Sequence, residues 1–240
     1  MIASIHSAVL LGVDGRTVRV EVHVANGLPG FTVVGLPDAA VRESRDRVRA
    51  TLASSGLLWP RRRITVNLAP SGMRKGGSGL DLPIAVGVLV ASGVLDAEAV
   101  AGHAFVGELG LDGSLRGVPG ALVLAEALVG LRVMVAEENG VEAALAGGDC
   151  RTAATLADVE ARCSGRRPWS SPLTVAPGPK HGPCGTAVAG DLADVRGQRV
   201  ARPWRARHCL PIGYPVSSRT STPRRRGRPP ASIRRPVPSG

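Results

Sequence analysis

The sequence predicts an α+β domain in which helices pack on a mixed β-sheet. Four valines alternate with polar residues over positions 18–24, which is the pattern of a strand with one buried face. Helical and strand patterns interleave along the chain, and this order favours some parallel strand pairs. The dipeptides Asp14-Gly15 and Asp112-Gly113 predict hairpins, which add antiparallel pairs to the same fold.

The first half of the predicted domain begins with a hairpin and ends in a long helix. Residues 4–10 pair with residues 18–24 across the Asp14-Gly15 turn, and residues 31–34 form a short strand. Pro37 and Asp38 begin a helix that ends near Gly56. Its apolar stripe is Val41, Val48 and Leu52, and the charged residues expected to face outward are Arg42, Glu43, Arg45, Asp46, Arg47 and Arg49.

The second half is organised around an apolar helix. A strand at residues 64–68 leads through a glycine-rich loop into a helix at residues 82–91, which Gly93 ends. That helix is apolar on nearly every side, so we expect it to lie at the centre of the core. The other predicted elements are a hairpin of residues 105–109 and 114–116, helices at 121–129, 141–146 and 156–162, and a strand at 132–135.

The composition of the chain changes near Gly165. Residues 1–160 carry 14 Lys+Arg and 17 Asp+Glu, whereas residues 161–240 carry 16 and 2 and hold 13 of the 19 prolines. The first part is long enough for one domain with a substantial core. The second part has too few branched apolar residues to offset its ordering entropy. We expect a folded domain at residues 1–163, a linker at 164–190, and a Pro/Arg-rich disordered tail within 191–240.

The sequence carries no targeting or membrane signal that we can identify. The N-terminus lacks a basic region followed by an apolar run, and the longest apolar stretch is too short to span a bilayer. The four cysteines form no CxxC pair, and His6, His23 and His103 have no spacing partner that suggests a metal site. We expect a cytoplasmic protein with reduced thiols, no metal centre and no membrane contact.

The glycine-rich loop is the first candidate site. Lys75, Gly76, Gly77 and Ser78 lie between a strand and a helix, and Lys75 is one of two lysines among 30 basic residues. Such a loop can hold the phosphates of a nucleotide at the helix N-terminus. The order differs from GxxxxGK[ST], however, in which the lysine follows the second glycine. The other interpretation is that the glycines permit close packing of strand and helix.

Two further sets of residues suggest chemistry. Ser78 and Lys75 are a candidate nucleophile and base, although two residues of one loop are poorly placed for a catalytic dyad. Arg61, Arg62 and Arg63 precede a strand, where they either contact nucleic-acid phosphates or form its solvated start. The sequence pattern does not decide whether the three arginines contact phosphates, and it makes a Ser78–Lys75 dyad the less favoured interpretation of the loop.

Four blocks of the sequence resemble the N-terminal domain of the magnesium-chelatase-like AAA+ ATPases, the YifB/ComM family. They are GLPGFTVVGLPDAAVRESRDRVRATL at residues 27–52, RRITVNLAPSG at 62–72, GGSGLDLPIAVGVLVASG at 76–93 and FVGELGLDGSLRGVPGAL at 105–122. The resemblance spans most of residues 1–160. It implies a fold like that of the Lon protease domain, which small-molecule kinases of the GHMP type and a ribosomal-protein domain share.

The departures from the Lon-type pattern imply that its protease chemistry is absent. Aligned on the Lon-type serine string, the nucleophile position falls at Gly79, one place after Ser78. The region that carries the protease lysine corresponds to residues 118–122, which contain no lysine. The family also usually has an acidic residue where Gly76 stands. We therefore expect this domain to contain no catalytic residues.

The ATPase motor of the family begins with a string close to DLADVRGQ, which stands here at residues 191–198. A GPPGxGKT-type loop is expected to follow in the family, but this sequence continues with a Pro/Arg-rich segment. We expect a frameshift near residues 199–202, because a shifted reading of codons for Arg-Pro-Trp-Arg yields Ala-Leu-Glu, a run typical of the family. The encoding DNA tests this expectation.

The resemblance implies a non-catalytic accessory N-terminal domain of an AAA+ ATPase that works on branched DNA during uptake of foreign DNA. ATP and magnesium belong to the full-length family, so we expect this chain to need no cofactor of its own. DNA and neighbouring copies of the chain are the implied partners. The alternative is a stand-alone Lon-like peptidase or nucleotide-binding enzyme.

Overall fold

The computed structural model describes residues 1–170, which form an α+β domain. The strands are β1 (Ile2–Leu11), β2 (Asp14–Ala25), β3 (Gly30–Val34), β4 (Arg63–Ala69), β5 (His103–Phe105), β6 (Glu108–Leu109), β7 (Leu115–Arg116), β8 (Arg132–Ala136) and β9 (Cys150–Ala153). The helices are α1 (Ala39–Ser54), α2 (Asp81–Ala91), α3 (Ala97–Val100), α4 (Ala121–Glu126), α5 (Gly140–Ala144) and α6 (Leu156–Cys163). The predicted fold class, helices packed on a mixed sheet, is confirmed.

Seven strands form the main sheet in the order β3-β4-β2-β1-β5-β8-β9. Strand β2 runs antiparallel to its neighbours β1 and β4, and the remaining neighbours pair in parallel. Strands β6 and β7 form a separate antiparallel hairpin. The alternation of valines in β2 places one side of this strand in the core, as the period of two requires.

Helices cover one face of the sheet along its length. The larger core cluster joins Ile5 and Val22 of the sheet to Val48 of α1, Leu89 of α2 and Val159 of α6. On the opposite face, a smaller cluster joins α4 and α5 to β5 and β8. The second layer of helices therefore covers the parallel strands on that face and also the hairpin end of β1 and β2, at Ala8 and Gly15.

The rest of the second face is polar and largely exposed to solvent. The strand registers place a common set of side chains on this side of β1, β2, β4 and β3, and we call this surface the open sheet face. Its residues are Ile2, Ser4, His6, Arg19, Glu21, His23, Thr32, Val34, Arg63, Thr65 and Asn67. Burial alternates strictly along β4, because its even-numbered residues Ile64, Val66 and Leu68 point into the core instead.

Helix α2 lies at the centre of the core, as predicted. All of its residues are buried, from Asp81 to Ala91. A Cβ atom at Gly87 would lie 2.5 Å from Cγ2 of Val22 and 3.5 Å from Cγ1 of Ile5. The glycine therefore allows the helix axis to approach β1 and β2 closely.

Two local predictions differ from the structure, and two short elements were not predicted. The turn of the first hairpin is Gly12-Val13, because Asp14 and Gly15 are extended and pair with Leu11 and Leu10. The predicted strand at residues 105–109 is divided: Phe105 pairs with β8 in the main sheet, and only β6 pairs with β7. Strand β9 and helix α3 had no sequence signal, since each is only four residues long.

The chain packs back onto the domain after α6. The Trp169 ring stacks on His103 with a centroid distance of 4.8 Å, and the Arg132 guanidinium lies 5.8 Å from the Trp169 centroid. Residues just beyond 163 thus contribute to the domain surface. The predicted linker at 164–190 extends beyond the described residues, and the predicted tail lies wholly outside them. Within residues 1–170, no helix is long and apolar enough to cross a bilayer.

Candidate functional site

Lys75 turns inward from the glycine-rich loop. Its side chain is fully buried, and its Nζ donates a hydrogen bond to the carbonyl of Pro70. Its backbone N–H donates to the Leu36 carbonyl at 3.1 Å, and its carbonyl accepts from the Asp38 N–H at 2.9 Å. Burial lowers the pKa of Lys75. The lysine therefore ties the loop to the segment that precedes α1, and its ammonium group does not face solvent.

The carboxylate of Asp38 lies against the glycine-rich loop and takes one of the loop amides, that of Gly77. It accepts hydrogen bonds from the Val41 N–H at 2.9 Å, as the N-cap of α1, and from the Gly77 N–H at 3.0 Å. A Cβ atom at Gly76 would lie 2.9 Å from this carboxylate, and Gly77 has a φ of +92°. These two glycines serve backbone geometry and close packing. A phosphate at this point would meet a fixed negative charge.

Ser78 and Lys75 have separate partners. The Ser78 hydroxyl donates to the carboxylate of Glu108, whereas Lys75 contacts Pro70 on the other side of the loop. No hydrogen bond joins the serine to the lysine, and the arrangement is not a nucleophile–base pair. Of the four loop candidates, Lys75 and Ser78 make side-chain hydrogen bonds within the domain, while Gly76 and Gly77 contact Asp38.

A buried ion pair between α1 and α2 was missed by the sequence reasoning. The Arg47 guanidinium donates to both carboxylate oxygens of Asp81, at 2.6 and 3.0 Å, and also to the Ala40 carbonyl at 2.9 Å. The Asp81 side chain is 1% exposed and also accepts from the Leu109 N–H. The prediction that Arg47 faces outward is therefore wrong. Its spacing from buried Ser44 and Thr51, three and four residues away, was the available signal.

The electrostatics of this pair are dominated by burial. Burial raises the pKa of Asp81, and the hydrogen bond and positive charge of Arg47 act in the opposite direction. The hydrogen bond to Asp81 raises the pKa of Arg47. Arg47 therefore keeps a charged carboxylate tolerable at the start of the central helix. The pair connects α1 and α2 beside the loop and has no open position for a substrate.

The segments that contain Gly79 and Val118 lie next to each other. A Cβ atom at Gly79 would be 3.5 Å from Cγ1 of Val118. The Asn139 side chain fixes the backbone at Val118, because it accepts a hydrogen bond from the Val118 N–H at 2.7 Å and donates one to the Val118 carbonyl at 2.9 Å. The place where these segments meet has a glycine on one side and a valine on the other.

Other reactive side chains are also engaged or protonated. His103 and Asp149 line a surface cleft of about 430 Å³, where Asp149 accepts from Arg132 at 2.9 Å and His103 lies 3.3 Å from the same guanidinium. Burial raises the pKa of Cys163 to about 12, so its thiol is protonated at neutral pH. Within residues 1–170, no group of three or more His, Cys, Asp or Glu side chains is placed to hold a metal ion.

The arginines at the start of β4 remain available to a partner. Arg61, Arg62 and Arg63 are all exposed, and none makes a salt bridge among the described residues. Arg63 begins β4, so it stands at one end of the open sheet face. The two candidate sites thus differ, since the Lys75 side chain is buried and the three arginines are exposed.

Comparison with known proteins matches residues 20–139 to the family model described as subunit ChlI of Mg-chelatase. The chain is 42% identical to the uncharacterized protein YifB of Salmonella typhimurium over 82% of its length, which is 38% of that relative. It is 45% identical to the competence protein ComM of Haemophilus influenzae over 66% of its length and 32% of the relative. It is 40% identical to the uncharacterized protein Rv2897c of Mycobacterium tuberculosis over 82% of its length and 39% of the relative. The chain spans less than half of these relatives and belongs to the magnesium-chelatase-like family that contains YifB and ComM.

Proposed function

We propose that residues 1–163 serve as the accessory N-terminal domain of a magnesium-chelatase-like AAA+ ATPase and carry out no reaction of their own. The proposal includes a fold of the Lon protease type, a linker at residues 164–190 and the start of an AAA+ region at residues 191–198. The family match over residues 20–139 falls within the domain that the structure describes. ATP and magnesium would then belong to the motor and not to this domain.

The contact between Gly79 and Val118 carries the proposal. In the alignment that the resemblance implies, Gly79 takes the position of the Lon-type serine and Val118 begins the region of its lysine, and a Cβ atom at Gly79 would lie 3.5 Å from Cγ1 of Val118. A glycine supplies no nucleophile, and a valine supplies no base. The nearest hydroxyl in sequence, that of Ser78, is bonded to Glu108. This supports a domain in which the two segments are adjacent but carry neither a nucleophile nor a base.

The partners in the proposal are DNA and neighbouring copies of the chain. The relative from Haemophilus influenzae is named a competence protein, which connects the family name to uptake of DNA. We extend this to the present chain as a part of an ATP-driven machine that acts on branched DNA. The exposed Arg61, Arg62 and Arg63 are the first candidates for phosphate contacts.

Assays of ATP hydrolysis and casein cleavage test the absence of catalysis. We expect the purified chain to show neither activity above a buffer control, and a Ser78→Ala variant to behave in the same way. Proteolysis that disappears in Ser78→Ala would replace the proposal with the peptidase alternative. ATP hydrolysis that co-purifies with the chain through successive columns would contradict it equally, since it would place a working nucleotide site in the polypeptide.

A further inference from the structure

We propose that the open sheet face binds the phosphate backbone of DNA. This inference rests on the proposed DNA role and assigns that role to one surface. The strand register pairs Arg63 with Ala25, and Arg19 lies six residues earlier on β2. At roughly 3.3 Å per residue, the backbones of the two arginines are about 20 Å apart along the strands. Duplex DNA carries about one charge per 1.7 Å of its axis, so a duplex along the strands reaches both arginines.

Charge is segregated within the domain. Residues 1–34 and 60–69, which contain β1 to β4, carry five arginines and two acidic residues. The remainder of residues 1–170 carries 12 basic and 15 acidic residues. These segments, which include Arg61 and Arg62 just before β4, are therefore the positive part of a domain that is otherwise acidic. A polyanion is attracted to this part and repelled from the rest.

The single acidic residue of the open sheet face is already engaged. The Glu21 carboxylate is partly buried and accepts a hydrogen bond from the side-chain amide of Asn67 at 2.8 Å. The pKa of His6 is lowered by burial and by the nearby Arg19, so this ring is neutral at pH 7. The two arginines therefore outnumber the one carboxylate, and the hydrogen bond from Asn67 holds that carboxylate in place.

Hydrogen-bond donors lie between the two arginines. Register places Thr32 of β3 beside Thr65 of β4, and Thr65 beside His23 of β2. Hydroxyl and imidazole groups in such a row are ordinary phosphate contacts. Arg61 and Arg62 extend the positive surface beyond the start of β4.

A protein partner fits this surface less well than DNA does. The centre of a protein interface is depleted of charge and enriched in large apolar side chains. Among the residues of the open sheet face, the large apolar side chains are Ile2 and Val34, which lie on strands at different positions in the sheet. The chemistry of the face therefore favours contact with the DNA phosphate backbone without base specificity, and we expect the affinity to depend strongly on salt concentration.

The test compares two charge-matched variants of the full chain. Arg19→Gln/Arg63→Gln removes two charges from the open sheet face, and Arg45→Gln/Arg49→Gln removes two exposed charges from α1 on the other side of the sheet. Binding of a fluorescent DNA duplex is measured by anisotropy between about 50 and 200 mM salt. Both variants keep the basic segment beyond residue 160, so its contribution is common to the comparison.

We expect Arg19→Gln/Arg63→Gln to make the negative slope of log affinity against log salt shallower by about 2, and the α1 variant to leave the slope unchanged. Equal changes in both variants would overturn the assignment to this face while leaving the DNA role intact. Absence of DNA binding by the unaltered chain would overturn both. A loss of self-association in the first variant, with unchanged DNA binding, would identify a second copy as the occupant and refute the proposal.

Discussion

Replacing Arg47 with alanine is expected to lower the free energy of unfolding by about 3–5 kcal/mol. The substitution leaves the Asp81 carboxylate, 1% exposed, without its counter-ion at the start of the central helix. Urea unfolding followed by circular dichroism measures the change. Arg45→Ala is the matched control, because Arg45 is exposed on the same helix and its nearest carboxylate contact, with Asp46, is 3.9 Å long. We expect the control to change stability by less than about 0.5 kcal/mol.

The pH dependence of the Arg47 variant gives a second readout. Burial raises the pKa of Asp81 in the folded state above its pKa in the unfolded state. Asp81 therefore favours the folded state most at low pH, and this contribution falls as pH rises from the unfolded-state pKa through the folded-state pKa. Removing Arg47 removes an opposing influence and raises the pKa further. The deficit of Arg47→Ala should therefore be largest at neutral pH and smaller near pH 4. A small deficit that is equal at both pH values would contradict the role given to the ion pair.

Replacing Gly87 with valine is expected to destabilise the domain by about 1–3 kcal/mol. Valine is a better helix former than glycine, so propensity alone predicts a gain. The loss follows from geometry, since a Cβ atom at this position would lie 2.5 Å from Cγ2 of Val22. Thermal unfolding measures the outcome. Gly72→Val is the control, because no atom lies within 4 Å of the corresponding Cβ position and its φ is not positive.

A double-mutant cycle separates the close approach from a general effect of the glycine. Val22→Ala creates room beside Gly87, so Val22→Ala combined with Gly87→Val should cost less than the sum of the two single changes. Additive losses would mean that the valine at position 87 is rejected by another neighbour. They would also contradict the view that α2 depends on Gly87 to reach β1 and β2.

The parts of the fold that the sequence predicted are those with long periodic patterns. Alternating valines indicated β2, the apolar run indicated the central α2, and Asp38 indicated the start of α1. Strand β9 escaped because four residues with two partly exposed positions carry almost no period. The hairpin turn was misplaced because Asp-Gly is a strong turn signal, whereas the extended pairing of Asp14 and Gly15 depends on the rest of the sheet.

The candidate site was harder to predict, since its contacts join residues far apart in the chain. A lysine among glycines is equally consistent with a phosphate site and with a buried lysine that holds the loop to the domain. The hydrogen bonds of Lys75 to the carbonyls of Pro70 and Leu36 distinguish the two interpretations. Arg47 satisfies the local pattern of an outward-facing helix residue, but its partner Asp81 lies 34 residues away. The spacing of Arg47 from buried Ser44 and Thr51 indicates a partly buried position but does not identify Asp81 as its partner. The exposed position of Arg61, Arg62 and Arg63 agrees with either of the two interpretations given to them.

Thermal unfolding of the purified chain with and without magnesium and ATP tests most directly whether the glycine-rich loop only joins parts of the domain or binds a nucleotide. A ligand at about 100 times its Kd stabilises a protein by about 2.7 kcal/mol. For a chain of this size, that corresponds to a rise in Tm of roughly 5–10 °C. With Lys75 bonded to Pro70 and Asp38 bonded to the Gly77 amide, we expect no rise in Tm. A rise of several degrees that Lys75→Met abolishes would show that the loop binds nucleotide and that the domain is not a passive accessory.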